Sequence, residues 1–252
     1  MAGQAAAMFL ALLIGVSLGA LGSGGSIITL PILVYVAGIA PKAAVGMSMA
    51  IVGGTSFFGC CVNWRRGNFC PKPALLFGVT GMLGAYIGST GTHLISSHVL
   101  MLLFSLLMLL VGVRMIVVRT PAVAHNVVRS IYRCIPVGFV VGLITGFLGV
   151  GGGFLIVPAL VWFAGLDLRR AIGTSLAIIT LNSASGLAGQ LRYSHPDWHL
   201  TGAFLLCALI GMGVGVTVSK RTPDRALRTA FAVVVIGVGL AVGWQVLGYR
   251  GL

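Results

Sequence analysis

Polar residues are confined to narrow intervals along this chain, and long apolar stretches run between them without the two-residue alternation of a half-buried strand. The first, residues 5–21, ends at a glycine cluster, residues 22–26, and a short apolar piece follows, residues 26–39. Three longer stretches come next, residues 43–64, 74–95 and 99–118. After a polar stretch, residues 119–133, the same order returns. An apolar segment runs up to a second glycine cluster, residues 149–153, followed by a short piece, 153–166, and by longer stretches at 171–193, 202–219 and 226–247. The longer stretches match the roughly twenty residues that a bilayer-spanning helix needs, and the two short pieces, about fourteen residues each, fall below it. Residues 5–21 resemble the apolar part of a secretory signal, but no basic segment precedes them and the same pattern recurs far inside the chain, so they are expected to be structural.

The recurrence is a repeat. At a shift of about 127 residues, roughly sixteen of thirty-seven positions from Gly15 to Ile51 are identical to those from Gly142 to Ile178. Gly22, Gly24, Gly25 and Pro31 correspond to Gly149, Gly151, Gly152 and Pro158, and Gly46 and Ser48 to Gly173 and Ser175. Further on, Arg65, Gly84, Gly88 and Gly112 correspond to Arg192, Gly211, Gly215 and Gly239. The expected organisation is a first transmembrane repeat at residues 1–118, a linker at 119–135 and a second repeat at 136–252.

Composition names the solvent. Hydrophobic residues make up 58% of the 252 and charged residues 8%, with a mean hydropathy of +1.09. A soluble domain is about one quarter charged, so the surface must face lipid. The net charge of +13 would suggest nucleic acid as a partner in a soluble protein. Here the basic residues lie between apolar stretches, where they orient loops toward the cytoplasm, and no nucleic-acid partner is expected.

Charge also chooses between two topologies. If each glycine-broken element is a hairpin, re-entrant or fully spanning, the copies are inverted. Arg65, Arg66, Lys72, Arg114, Arg119, Arg129, Arg133, Arg169, Arg170, Lys220, Arg221, Arg225 and Arg228 then share one side, against Lys42, Arg192 and Arg250. A single kinked span would make the copies parallel and divide the charge almost evenly. The positive-inside rule favours inversion. The expected fold is therefore an all-α polytopic membrane protein of two inverted-topology repeats, each a glycine-broken helical hairpin plus three transmembrane helices, with both termini outside and the linker cytoplasmic.

Inverted repeats with interrupted helices place a substrate near the bilayer midplane, where half-helix ends face a cavity. The candidate ends are Ser23, Gly24, Gly25 and Ser26 in the first copy and Gly151, Gly152 and Gly153 in the second. Each precedes a short helix whose free N–H groups and positive dipole end suit an anion. The plainer explanation, close helix packing, fits the spaced pairs Gly15 and Gly19, Gly84 and Gly88, and Gly211 and Gly215 better. The following spans carry Ser48, Thr55, Ser56 and Asn63, then Thr174, Ser175, Asn182, Ser183 and Gln190. Ser48, Thr55, Thr174, Ser175 and Asn182 join the candidate set as cavity-lining groups, with bonding of hydroxyls back to their own helix as the competing explanation. Arg65 and Arg192 are candidate pathway entrances, with snorkelling to the interface as theirs. The only acids, Asp167, Asp197 and Asp224, lie between spans, which leaves a centre with donors and no negative charge.

These residues resemble a family. The paired G-x-G-G clusters, followed by Pro31 or Pro158 and then by residues 45–48 (Val-Gly-Met-Ser) or 172–175 (Ile-Gly-Thr-Ser), are similar to the sulfite exporter TauE/SafE family of membrane permeases. The resemblance covers nearly the whole chain. It implies transport of a small sulfur-containing anion such as sulfite or an organosulfonate, usually outward, across a prokaryotic inner membrane. Met47 and Thr55 depart from their counterparts Thr174 and Asn182, so the copies are not expected to contribute equally. The rival class is a membrane-embedded enzyme. A serine hydrolase needs a buried Ser and His pair, and His93 alone lies near a span interior. A thiol redox protein would use Cys60 and Cys61, which lack the C-x-x-C spacing. The five cysteines follow no metal or disulfide pattern, and neither a cofactor nor a metal is expected.

Overall fold

The computed structural model describes residues 2–21, 24–117, 134–149, 151–194, 196–219 and 224–248, and these form helices joined by short turns, with no strand among them. In chain order the helices are α1 (Ala2–Leu21), α2 (Gly24–Pro31), α3 (Pro41–Arg65), α4 (Pro71–Gly91), α5 (Ser97–Val117), α6 (Cys134–Leu148), α7 (Gly153–Phe163), α8 (Leu168–Gln190), α9 (Trp198–Ser219) and α10 (Asp224–Gly248). Four described stretches are long and apolar enough to cross a membrane, Pro41–Arg65, Pro71–Leu94, Arg169–Gln190 and Trp198–Thr217. Large apolar side chains cover the outer faces, among them Phe57, Ile210, Leu240 and Trp244, as lipid contact requires. Most of the linker expected at 119–135 lies outside the described residues.

Local chemistry sets the helix ends. Pro41 and Pro71 open α3 and α4, where a missing N–H costs nothing. Asp167 and Asp197 cap α8 and α9 by accepting from the backbone N–H of Arg170 and Leu200, at 3.3 and 3.1 Å. The acids therefore complement helix dipoles at the ends of spans. The short helices stop earlier than the sequence pattern suggests. α2 continues through a π turn, Ile32–Val36, and α7 ends at Phe163. In each case a glycine with φ near +70°, Gly38 or Gly165, bends the chain so that the next N–H closes on the last turn, Ile39 on Leu33 and Leu166 on Leu160.

The copies are interleaved and share their core. A Cβ at Gly15 or Gly19 would meet backbone of Ala208 or Met212, and one at Gly211 or Gly215 would meet backbone of Leu12 or Val16, so α1 and α9 run parallel in close contact. At the shift of 127 residues the same contacts recur between α6 and α4: Gly142 on Gly81, Gly146 on Ala85, Gly84 on Phe139 and Gly88 on Leu143. These are the spaced glycines assigned to packing, and they let helix backbones of different copies touch. Equivalent helices, by contrast, run antiparallel. Gly46, Gly53 and Gly59 of α3 face Gln190, Ser183 and Leu176 of α8, and Gly112 of α5 faces Ile236 of α10 while Ser105 Oγ donates to the Gly239 carbonyl at 2.7 Å.

The chain doubles back between α6 and α7. Gly138 near the start of α6 lies against Phe77 near the start of α4, and Gly149 just past its end lies against Val45 in the first turns of α3. Gly151 has already returned to Val52, Ile179 and Ser183. α7 then leads through residues 164–167 into α8, whose Gly173 sits on the carbonyl of Asn68, at the end of the molecule where α4 begins. Gly149, Gly151 and Gly152 all have φ between +64° and +81°, a region costly for residues with a Cβ.

Candidate functional site

The turn before α7 is wedged between α3 and α8 near the middle of both. A side chain at Gly151 would begin 2.7 Å from Val52 Cγ1 and 2.9 Å from Ser183 Oγ, and one at Gly152 would begin 2.6 Å from Thr145 Cγ2. Gly152 caps α7 and accepts from the N–H groups of Leu155 and Ile156, leaving the first N–H groups of this eleven-residue helix without an intrahelical acceptor, next to the turn packed between α3 and α8.

Along α3 and α8 the structure buries polar side chains with nothing to bond, and one of them, Ser183, lies beside the turn before α7. Ser48 Oγ, Ser56 Oγ, Ser183 Oγ and both amide atoms of Asn182 are buried without a hydrogen-bond partner. The Asn182 amide leans over Gly81 of α4, where a Cβ would come within 2.6 Å of Oδ1. An unmade buried hydrogen bond costs about 1–3 kcal/mol, so these atoms, like the unpartnered His93 Nδ1, His98 Nε2 and Gln190 Oε1 elsewhere, are expensive for a fold to keep. No charged side chain whose burial the structure describes is buried. The electrostatic character of the centre therefore comes from neutral donors and the positive end of α7.

Other candidate hydroxyls are engaged elsewhere. Thr55 Oγ1 donates to the Ile51 carbonyl at 2.7 Å and Ser175 Oγ to the Ile172 carbonyl at 2.8 Å, each within its own helix. Thr174 Oγ1 accepts from the Cys70 backbone N–H at 3.0 Å and so ties α8 to the start of α4. Gly24 and Gly25 open α2, Ser26 is buried in it, Gly153 begins α7, and Ser23 lies outside the described residues. Ser56 and Ser183 belong to the cluster although the candidate set omits them. Their signal in the sequence was their equivalence at the repeat shift.

The ends of the α3 and α8 pair differ in chemistry. Arg65, Arg66, Lys72, Arg169 and Arg170 are exposed at one end. At the other, Lys42 Nζ donates to the His93 carbonyl at 3.2 Å and Gln190 Nε2 donates to the Lys42 carbonyl at 3.1 Å. The His93 ring stacks on Tyr193 with centroids 4.0 Å apart, and the exposed Arg192 lies over Tyr86, 5.6 Å from its centroid. Arg65 and Arg192 thus stand at opposite ends.

A helical multi-pass membrane protein with an uncharged polar centre and basic ends is the class this fold defines. The family model described as Sulfite exporter TauE/SafE matches residues 7–242, and the chain belongs to that family of membrane transporters. It is 35% identical over 243 residues to a "Probable membrane transporter protein" of Xylella fastidiosa strain Temecula1, covering 92% of each chain. It is 25% identical over 223 residues to the "Probable membrane transporter protein YdhB" of Bacillus subtilis, covering 86% of this chain and 91% of that one. A shorter match, 30% identical over 97 residues, joins it to the "Sulfite exporter TauE/SafE family protein 5" of Arabidopsis thaliana, covering 38% of this chain and 22% of that protein. No solved structure matches it significantly.

Proposed function

We propose that this transporter is a permease for a small sulfur-containing anion such as sulfite or an organosulfonate, exporting it by alternating access between two inverted copies. The carrying observation is the positive start of α7, which follows a turn packed against Ser183, on the same two helices, α3 and α8, that bury the unpartnered Ser48, Ser56 and Asn182. Helix starts bind anions through free N–H groups, and unpartnered donors beside one suit an oxyanion. The antiparallel course of equivalent helices supports inversion. The family description supports a sulfur oxyanion as cargo and outward movement as its direction.

In this reading the chain sits in the inner membrane of a prokaryotic cell with both termini outside, and the arginine-rich end faces the cytoplasm. The bound anion meets main-chain and hydroxyl donors that need no reorganisation. Access alternates as the contacts at one end of the α3 and α8 pair part while those at the other hold. Arg65 and Arg192 raise the local anion concentration at the two mouths.

Flux into proteoliposomes tests this. Purified protein should carry radiolabelled sulfite or a small sulfonate down its gradient, and excess unlabelled anion on the far side should accelerate exchange. Folded protein that moves none of these anions while moving a cation or a neutral solute would overturn the reading.

A further inference from the structure

The central site offers an anion neutral donors and the partial charge of a helix start. We infer that it selects singly charged oxyanions over doubly charged ones of the same size, an inference that rests on the permease reading above and deepens it. Three observations carry it. First, no Lys or Arg whose side chain is described is buried, and His93, whose Nδ1 is buried without a partner, stacks on Tyr193 at the Lys42 end. The described basic groups, Lys42, Arg65, Arg66, Lys72, Arg169, Arg170 and Arg192, stand at the two ends of the α3 and α8 pair. Second, the donors that remain are neutral. They are the hydroxyls of Ser48, Ser56 and Ser183, the Asn182 amide and the first N–H groups of α7, and the side-chain members have no other partner. Third, the helix start that the structure places beside Ser183 is that of α7, after a turn packed against Val52 and Ile179.

A helix start carries about half an elementary charge, so that of α7 offsets only part of one negative charge. The cost of removing an ion from water rises with the square of its charge, while attraction to fixed dipoles rises only in proportion to it. Doubling the charge makes desolvation about fourfold dearer and the dipole attraction about twofold stronger, and it leaves more than one charge without compensation in a medium of low dielectric.

The test compares methanesulfonate with sulfate, tetrahedral anions of nearly equal size whose charges do not change across the usable pH range. Each is titrated against detergent-solubilised full-length protein, following thermal stabilisation and competition with labelled sulfonate uptake in proteoliposomes. Methanesulfonate is expected to bind and compete at least tenfold more tightly than sulfate. Sulfate binding as tightly or more tightly would overturn charge selection and leave the permease reading standing. Binding by neither anion, with folded protein, would overturn the permease reading and this inference with it. Asn182→Asp is the second arm, nearly isosteric but adding one negative charge. Folded Asn182→Asp, whose added charge exceeds what one helix start offsets, should lose methanesulfonate binding at least tenfold at neutral pH. Unchanged affinity in that variant would place the anion away from this centre and overturn the inference.

Discussion

The hydroxyl of Ser183 on α8 lies 2.9 Å from the point where a side chain at Gly151 would begin, just before α7. That approach brings the helix start within reach of the polar groups of α8, and it exists only because residue 151 has no Cβ. Gly151→Ala is expected to fail twice. Its φ of +64° costs about 1–2 kcal/mol for a residue with a Cβ, and the methyl group would displace Ser183 or Val52. Anion affinity should fall at least tenfold, about 1.4 kcal/mol, in protein that still elutes as a single species. Gly84→Ala is the control, since its Cβ would strike the backbone of Phe139 and the yield of folded protein should fall together with activity. Normal affinity in folded Gly151→Ala would move the anion site elsewhere.

Asn182 separates stability from function. Its buried amide has no partner on either polar atom. Replacing it with leucine, of similar volume, removes about 1–3 kcal/mol of unmet desolvation for each lost group. Asn182→Leu should therefore raise the thermal midpoint in detergent while transport falls by an order of magnitude or more. A lower midpoint with undiminished flux would show that the amide serves the fold.

Much of this architecture was legible in the chain, and the reasons differ by feature. Pro41, Pro71, Asp167 and Asp197 mark helix starts by local chemistry, so the span boundaries lie within a few residues of where the apolar pattern puts them. The assignment of the spaced glycines to packing followed from their spacing, but a small-residue stripe does not name its partner, and the pairing of α1 with α9 and α6 with α4 across the copies had no sequence signal. The division among candidate hydroxyls was also hidden. Thr55 and Ser175 bond back to their own helices while Ser48, Ser56 and Ser183 do not, and that choice depends on side-chain rotation and neighbours, not on residue type. Asn182 stood out as an amide in an apolar span, and it differs from Asn63, whose amide does bond back to its own helix.

The proposed sidedness can be read at the two ends of the antiparallel α3 and α8. In a variant with the five cysteines replaced, single cysteines beside Arg66 and Arg170 should react with a membrane-impermeant thiol reagent only after the membrane is opened. Cysteines beside Lys42 and Pro196 should react in intact cells, because these residues lie at the other end of the same pair. Equal labelling at Arg66 and Lys42 in intact cells would contradict the orientation.

The two ends are each held by a side chain of the second copy whose counterpart in the first makes no equivalent bond. Gln190 donates to the Lys42 carbonyl, whereas its repeat equivalent Asn63 donates to Gly59 of its own helix at 3.0 Å. Thr174 accepts from the Cys70 N–H, whereas its equivalent is Met47, which has no hydroxyl to offer. α8 thus carries both fastenings and, between them, Asn182 and Ser183. Removing one fastening should bias which end opens, by an amount comparable to a hydrogen bond of about 0.5–1.5 kcal/mol, or roughly two- to tenfold in population. With Ser183→Cys as reporter, Gln190→Ala should speed modification from the Lys42 end and slow it from the arginine-rich end. Thr174→Val should do the reverse. Modification rates that shift in the same direction for both variants would show that these bonds stabilise the bundle as a whole and do not gate it.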